Sequence, residues 1–230
     1  MRRVRYPVLV LDSSSPRLTV AVRRARRGPV HSASVTGFRG HVRHLVPLAE
    51  RVLARARLAW KDVPTVAAGL GPGSFTGLRV GLAALKAFAL GGSGRILGAC
   101  SLALTGYRAA QSLAARGRRG TLAVLVNARR EKAYALAVRV RPGAVRISGR
   151  VRLVPLAEVP QLLRKVDWAA GDLREELERR AISLPANLTW LAQSLWYPDA
   201  RVFFDILDQP GLVRSFTVKT LKPLYLHPPL

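Results

Sequence analysis

Two polar clusters stand out in the 230-residue chain, each placed where an apolar run ends. The first is Asp12-Ser13-Ser14, after the run 8–11. A carboxylate flanked by two hydroxyls can hold a hard divalent ion and its waters, which call for oxygen ligands. It can equally end a strand in a turn by accepting nearby backbone N–H groups. The second cluster is Gly71-Pro72-Gly73-Ser74-Phe75-Thr76-Gly77-Leu78-Arg79. Glycines let backbone N–H groups converge, Ser74 or Thr76 can cap a following helix, and a helix N-terminus favours an anion. The candidate phosphate- or ion-holding residues are therefore Asp12, Ser13, Ser14, Gly71, Gly73, Ser74 and Thr76. The glycine segment is not a Walker loop, because no Gly-Lys-Ser/Thr follows it.

Other chemistries drop out. The one cysteine, Cys100, permits no intrachain disulfide and no cysteine-based zinc site. The histidines (His31, His41, His44, His227) show no ligand spacing, and His41 and His44 read as polar residues at a helix start near a subunit surface. No Asp or Glu occurs between Asp62 and Glu131, so that stretch offers no carboxylate base or metal ligand. No catalytic residue and no metal-binding set is assigned.

The elements that must position these residues follow from periodicity. The apolar run 8–11 ending in Asp12, the turn Ser13-Ser14-Ser15-Pro16 and the alternating Leu18, Val20 and Val22 predict a hairpin, with a third strand over 30–36. Apolar residues from Val42 to Ala56 recur at helical spacing, with Pro47 bending the helix or disturbing its first turn. A buried strand over 66–70, the glycine loop, a small-residue helix over 78–90, a strand over 96–100 and a helix capped by Ser101 complete a first half. The order then restarts with strands at 122–126, 133–140 and 145–151, a helical stretch near 156–164, a strand at 166–170 and a helix at 172–181. The tail offers an aromatic helix (Trp190, Leu191, Leu195, Trp196) and an extended end.

Two halves that each run β-β-β-α-β-α, each opening on a strand with a polar last residue (Asp12, Asn127), predict an α/β fold of the duplicated actin-like (ASKHA, ribonuclease H-like) two-lobed kind. The lobes are expected at 1–105 and 106–230. In actin-like phosphotransferases a carboxylate at each hairpin holds magnesium; Asp12 fits the first place, whereas Asn127 puts a neutral amide in the second.

Composition narrows the setting. With 49% hydrophobic and 22% charged residues the chain folds around a core and is not intrinsically disordered. The longest charge-free stretches, 63–78 and 96–107, are too short or too broken by Gly and Pro for a bilayer, which takes about 20 apolar residues. The basic start runs straight into a strand, so a cytoplasmic chain without a signal peptide is expected. Lys and Arg number 38 against 13 acidic residues, a formal charge of +25, which attracts polyanions. The arginines are spread along the chain, with clusters only at Arg23-Arg24-Ala25-Arg26-Arg27 and Arg116-Gly117-Arg118-Arg119.

Nearly the whole chain, in order, resembles the TsaB (YeaZ) family, glycoprotease-like partner subunits of the bacterial tRNA threonylcarbamoyladenosine machinery. The resemblance rests on Leu11-Asp12-Ser13-Ser14, on Gly40-His41 through Leu45-Val46-Pro47, and most specifically on 69–81. It continues through Gly98-Ala99-Cys100-Ser101-Leu102, Asn127-Ala128-Arg129-Arg130 with Tyr134, and Pro223-Leu224-Tyr225-Leu226. It implies a non-catalytic scaffold and activator that pairs with a catalytic threonylcarbamoyl transferase paralogue (TsaD-like), works with a P-loop ATPase (TsaE-like) and meets tRNA through the complex. Pairing would use helices at about 41–56 and 78–90, through His41, Leu45, Gly77, Arg79, Gly81, Ala84 and Phe88. The same helices would make a homodimer of the free protein. The resemblance implies no resident cofactor, and ATP or ADP, where used, at the subunit interface. Where the catalytic paralogue carries metal-binding histidines, this chain reads Cys100-Ser101-Leu102-Ala103-Leu104-Thr105. It departs from the family at Asn127, where an Asp is common, and at His227, where an Arg is common. Two other readings stay open: a stand-alone ATP-dependent phosphotransferase using Asp12 and the glycine loop, and a basic tRNA-binding module using Arg23 to Arg27.

Overall fold

Alternating and fully apolar runs set the strands. In the computed structural model, which describes residues 4–37, 40–147 and 149–226, β1 (Val8–Asp12) is buried at every position, as a central strand covered on both faces must be. His227 lies outside the described residues. β1 turns into β2 (Arg17–Arg23) and β3 (Val30–Thr36). The amphipathic run follows as α1 (His41–Arg55), which continues through Pro47. β4 (Thr65–Gly69) leads through the glycine loop into α2 (Phe75–Phe88), which ends in a π-helical turn, Ala89–Ser93. α2 begins three residues ahead of the expected start because Ser74 caps it, its side chain accepting the Gly77 N–H at 3.2 Å. β5 (Arg95–Ala99) precedes α3 (Ser101–Ala114).

The second run comprises β6 (Gly120–Arg129), β7 (Lys132–Arg141), β8 (Ala144–Ile147), β9 (Arg152–Pro155), α4 (Val159–Leu163), β10 (Trp168–Ala170), α5 (Leu173–Arg179) and β11 (Thr189–Trp190). The single strand expected over 145–151 is an interrupted one. β8 pairs with Val138 to Arg141 and β9 with Lys132 to Ala135, so the break falls opposite Leu136 and Ala137. In place of the expected aromatic helix stand β11, Thr189–Trp190, and a single 3-10 turn, Gln193–Leu195. Trp190 pairs instead with Ala169 of β10, and Trp196 turns back to donate its indole N–H to Leu191 O at 2.7 Å. Backbone partners offered by a sheet edge override a weak local helix preference.

The chain finishes with α6 (Phe203–Ile206) and β12 (Val213–Phe216). Its described residues divide into two compact units, one running up to Ser101 with Pro198–Tyr225, the other of Leu102–Tyr197. The expected division at 105/106 is corrected on both counts: it falls after Ser101, and most of the tail belongs to the first unit. The cause is pairing, since β12 lies antiparallel along β5 from Val213 opposite Ala99 to Phe216 opposite Ile96, and Leu221 is buried in the first core.

The strand orders are β12-β5-β4-β1-β2-β3 in the first unit and β11-β10-β6-β7-β8 in the second, with β9 beside β7. Leaving out β12, the two orders are the same. Each has a parallel trio (β5-β4-β1, β11-β10-β6) extended by antiparallel strands. The first core packs α1 and α2 on the sheet through Leu45, Val52, Leu82 and Leu85; the second packs α4 and α5 through Val159, Leu163, Leu173 and Leu177. Among the described residues no helix is long and apolar enough to cross a membrane.

Candidate functional site

At the end of β1 the carboxylate of Asp12 is fully enclosed. Its Oδ1 accepts the Ser14 N–H at 2.9 Å and the Ser14 hydroxyl at 2.7 Å; its Oδ2 accepts the Ser101 hydroxyl at 2.7 Å. Burial pushes the Asp12 carboxyl up from its ordinary range, against the pull of those hydrogen bonds and of nearby His41. The carboxylate lies over Gly69, where a Cβ would overlap Oδ2. Ser101, expected as a helix cap, is the first residue of α3 and ties the turn to the glycine loop. Its hydroxyl accepts the Gly71 N–H and its own N–H donates to Gly71 O, both at 2.9 Å.

The glycine loop closes onto the same turn. The Ser74 N–H donates to Ser14 O at 2.7 Å, and the Ser13 hydroxyl donates to Gly77 O at 2.8 Å. Side chains at Gly73, Gly77 or Gly81 would overlap Ser14 O, Ser13 O and the Ser13 hydroxyl respectively. Gly71, at φ +89°, is the residue where the left-handed backbone itself calls for glycine. The structure brings Asp12, Ser13, Ser14, Gly71, Gly73 and Ser74 together, joined to one another, while Thr76 points to solvent. The amides of Gly71, Ser74 and Gly77 and both oxygens of Asp12 are already engaged, so this constellation does not fit a magnesium-nucleotide. Among the described residues no group of three His, Cys, Asp or Glu is placed to hold a metal ion.

The second turn is built differently. Asn127 ends the regular pairing of β6 with β7 and accepts the Arg129 N–H at 2.8 Å, ahead of three left-handed residues, Arg129, Arg130 and Glu131. Its own N–H donates to Asp172 at 3.0 Å and its amide reaches Glu176 at 3.4 Å. Burial raises the Asp172 carboxyl, whereas the guanidinium of Arg180 bonded to Glu176 lowers that one. Burial first, then Asp172 and Glu175, push the Tyr197 hydroxyl up to about 12. The sequence reading missed Asp172 and Glu176. Their signal was available, since Ala170-Gly171-Asp172 follows β10 as Gly69-Leu70-Gly71 follows β4.

The residues expected at a partner surface separate into two faces. His41 is buried, its Nε2–H donating to Pro16 O at 3.3 Å, and Leu45 lies in the core. Gly77 and Gly81 sit on Ser13 and Leu11, Ala84 packs on the core, and Phe88 stacks on Trp60 with ring centroids 4.4 Å apart. The smooth glycine face is therefore an internal seat for the Asp12 turn, and of the expected set only Arg79 is fully out in solvent. The outer face of α2 is a different stripe, Phe75, Arg79, Ala83 and Ala87, reaching Leu90 in the π-turn. Phe75 is 51%, Leu90 75% and, on α1, Val42 70% exposed. Arg79 lies over the Phe75 ring at 5.3 Å, and Phe75 meets Tyr225 at 5.7 Å.

A hairpin-first sheet repeated in one strand order, with a polar turn at the end of each leading strand, defines a duplicated actin-like protein of the ribonuclease H type. Residues 35–176 match the family model described as TsaD: tRNA N6-adenosine threonylcarbamoyltransferase. An uncharacterized protein of Mycobacterium tuberculosis is 34% identical over 128 residues, which cover 55% of this chain and 56% of that protein. The TsaB tRNA threonylcarbamoyladenosine biosynthesis protein of Haemophilus influenzae is 34% identical over 36% of this chain and 35% of its own length. The chain thus spans about half the length, or less, of the curated relatives it matches. YeaZ from Pseudomonas aeruginosa has the same fold, with a TM-score of 0.74 at 23% identity over 96% of this chain and 99% of its own. The chain belongs to this family of actin-like proteins, among its TsaB (YeaZ) members.

Proposed function

We propose that this chain is a non-catalytic scaffold and activator in tRNA N6-threonylcarbamoyladenosine formation, pairing with a catalytic TsaD-like paralogue. The observation that carries the reading is the exposed apolar stripe on α2 with Val42 and Val46 on α1. His41 Nδ1 stands 3.3 Å from where a Gly77 Cβ would be, so the two helix starts adjoin. Large apolar side chains held in solvent on one face mark an interaction surface. On this reading the free chain pairs with itself through the same stripe, a TsaE-like P-loop ATPase and tRNA join through the complex, and the setting is the cytoplasm. ATP or ADP, where the assembly uses it, sits at the boundary with the partner. The engaged state of Asp12 weighs against the stand-alone phosphotransferase.

Light scattering on gel filtration, with the paralogue from the same source, tests the reading. We expect a one-to-one complex that Ala83→Arg abolishes while leaving the melting temperature within about 2 °C, as a solvent-facing substitution should. Absence of a complex with the unmodified chain, with or without ATP and magnesium, would sink the scaffold reading. A complex indifferent to Ala83→Arg and Val42→Glu together would remove the stripe from it.

A further inference from the structure

We propose that the stretch of the second sheet's α4-bearing face left open beyond that helix is a groove for an RNA phosphodiester backbone. Small residues, Thr121 and Ala123 of β6 with Ala135 and Ala137 of β7, line a cavity of about 570 Å³ together with the apolar Val154, Leu162 and Val166. Its walls carry Arg150, Arg152 and Lys165. The interruption between β8 and β9 falls opposite Ala137 and brings Arg150 to the rim, the kind of re-aiming that a break in a strand allows.

The same face continues along the β7–β8 hairpin. Arg139 and Arg141 alternate with the buried Val138 and Val140, so they stand on the side of Ala135 and Ala137, about 7 Å apart. Arg146 of β8 is directly opposite Arg139, and a second hollow of about 360 Å³ opens between these three arginines. Like charges directly opposite across a strand pair are destabilising. Here no acid relieves them: among the described residues none of Arg139, Arg141, Arg146, Arg150, Arg152 and Lys165 is in an ion pair, and Glu158 is the one carboxylate lining either hollow. A run of unneutralised guanidiniums beside a concave floor is built for a chain of anions.

The floor and rim carry no aromatic ring for a base to stack on, so recognition there is of backbone and not of sequence. Among the described residues the exposed large hydrophobics, Val42, Val46, Phe75, Leu90, Leu224 and Tyr225, all belong to the first unit, so the arginine face lacks the apolar partners that seat a protein in a lipid surface. The choice of RNA among polyanions rests on the tRNA-modifying role proposed above.

Fluorescence anisotropy of the full chain alone with a labelled, unmodified tRNA transcript tests the groove across a salt series. Replacing Arg139, Arg146 and Arg152 by Gln should weaken binding at least tenfold near 0.1 M salt and flatten the log K against log salt slope by about two to three, roughly one per lost phosphate contact. A control with Arg24, Arg27 and Arg57 changed to Gln removes the same charge from the first unit and should cost less than threefold. Equal losses in the two triple variants would reduce the effect to the net charge of +25 and overturn the proposal, as would binding indifferent to both. Crosslinking of the unmutated chain to the transcript should recover peptides from 132–165; recovery confined to 1–101 would also overturn it. Light scattering with the paralogue reads the pairing and anisotropy of the free chain reads the groove, so either can fail while the other stands.

Discussion

The turn at the end of β1 and the turn at the end of β6 occupy the same place in two copies of one strand order, yet they treat charge in opposite ways. Asp12 is sealed under the glycine loop with every partner a neutral hydroxyl or amide. Asn127 is neutral and half-exposed, and the carboxylates near it, Asp172 and Glu176, come from the loop and helix after β10, with Arg179 and Arg180 on Glu176. One strand order is thus kept while the corner after its leading strand is a packing joint in one copy and an ion-pair network around the buried Glu176 in the other.

Three experiments press on this contrast. The largest effect belongs to the joint itself: Gly81→Arg drives a side chain into Ser13 and should abolish folding or cost well over the ~3 kcal/mol of ordinary overpacking, whereas Ala83→Arg, two residues on, should be nearly neutral by urea unfolding. Comparable losses would mean that the glycine face is not the internal one. Next, Asp12→Ala strands the Ser14 N–H and the Ser101 hydroxyl in a buried place and should cost about 2 kcal/mol, against about 1 kcal/mol or less for Asn127→Ala, which gives up one bond near solvent. Equal costs would break the comparison.

The smallest effect lies in the pH dependence of melting. Because burial raises the Asp12 carboxyl, its contribution to stability is complete below the ordinary carboxylate range and is lost as pH rises through the raised value. The parent should therefore lose ground to Asp12→Asn as pH climbs above about 4, by at most ~1.4 kcal/mol per pH unit. Glu176 has the other sign. Its lowered carboxyl contributes above the ordinary range and loses that contribution as pH falls, so Glu176→Gln and parent should converge in acid. Melting curves from pH 3 to 7 that moved both variants the same way would contradict the assignment of causes.

Much of this was legible in the sequence, because strand alternation and helix spacing are local. The runs that became β1, α1 and β4 announce themselves, and the repeated order follows from counting them. What escaped is what depends on a distant partner. Gly77 and Gly81 show a smooth helix side but not what rests on it; Ser13 does, from 64 residues away in the case of Gly77. The exposed stripe 75, 79, 83, 87 lies on the opposite side of the same helix, readable only once the inner face is known. Trp190 and Val213 took strand positions because edges of β10 and β5 were there to receive them. At the candidate site, residue types pointed to Asp12 and the glycine loop, while their mutual satisfaction could be seen only in three dimensions.

The pairing of β12 with β5 also bears on how the chain is made. β5 is complete at Ala99, but the strand that covers its edge begins at Val213, more than a hundred residues later. At synthesis rates of roughly 5–20 residues per second, that edge waits several seconds or longer on the ribosome with its N–H and C=O groups open. An open strand edge is a template for pairing with other chains. The nascent first unit is thus the stage at which this protein is most exposed to aggregation, and a holdase bound there would act before the last strand arrives.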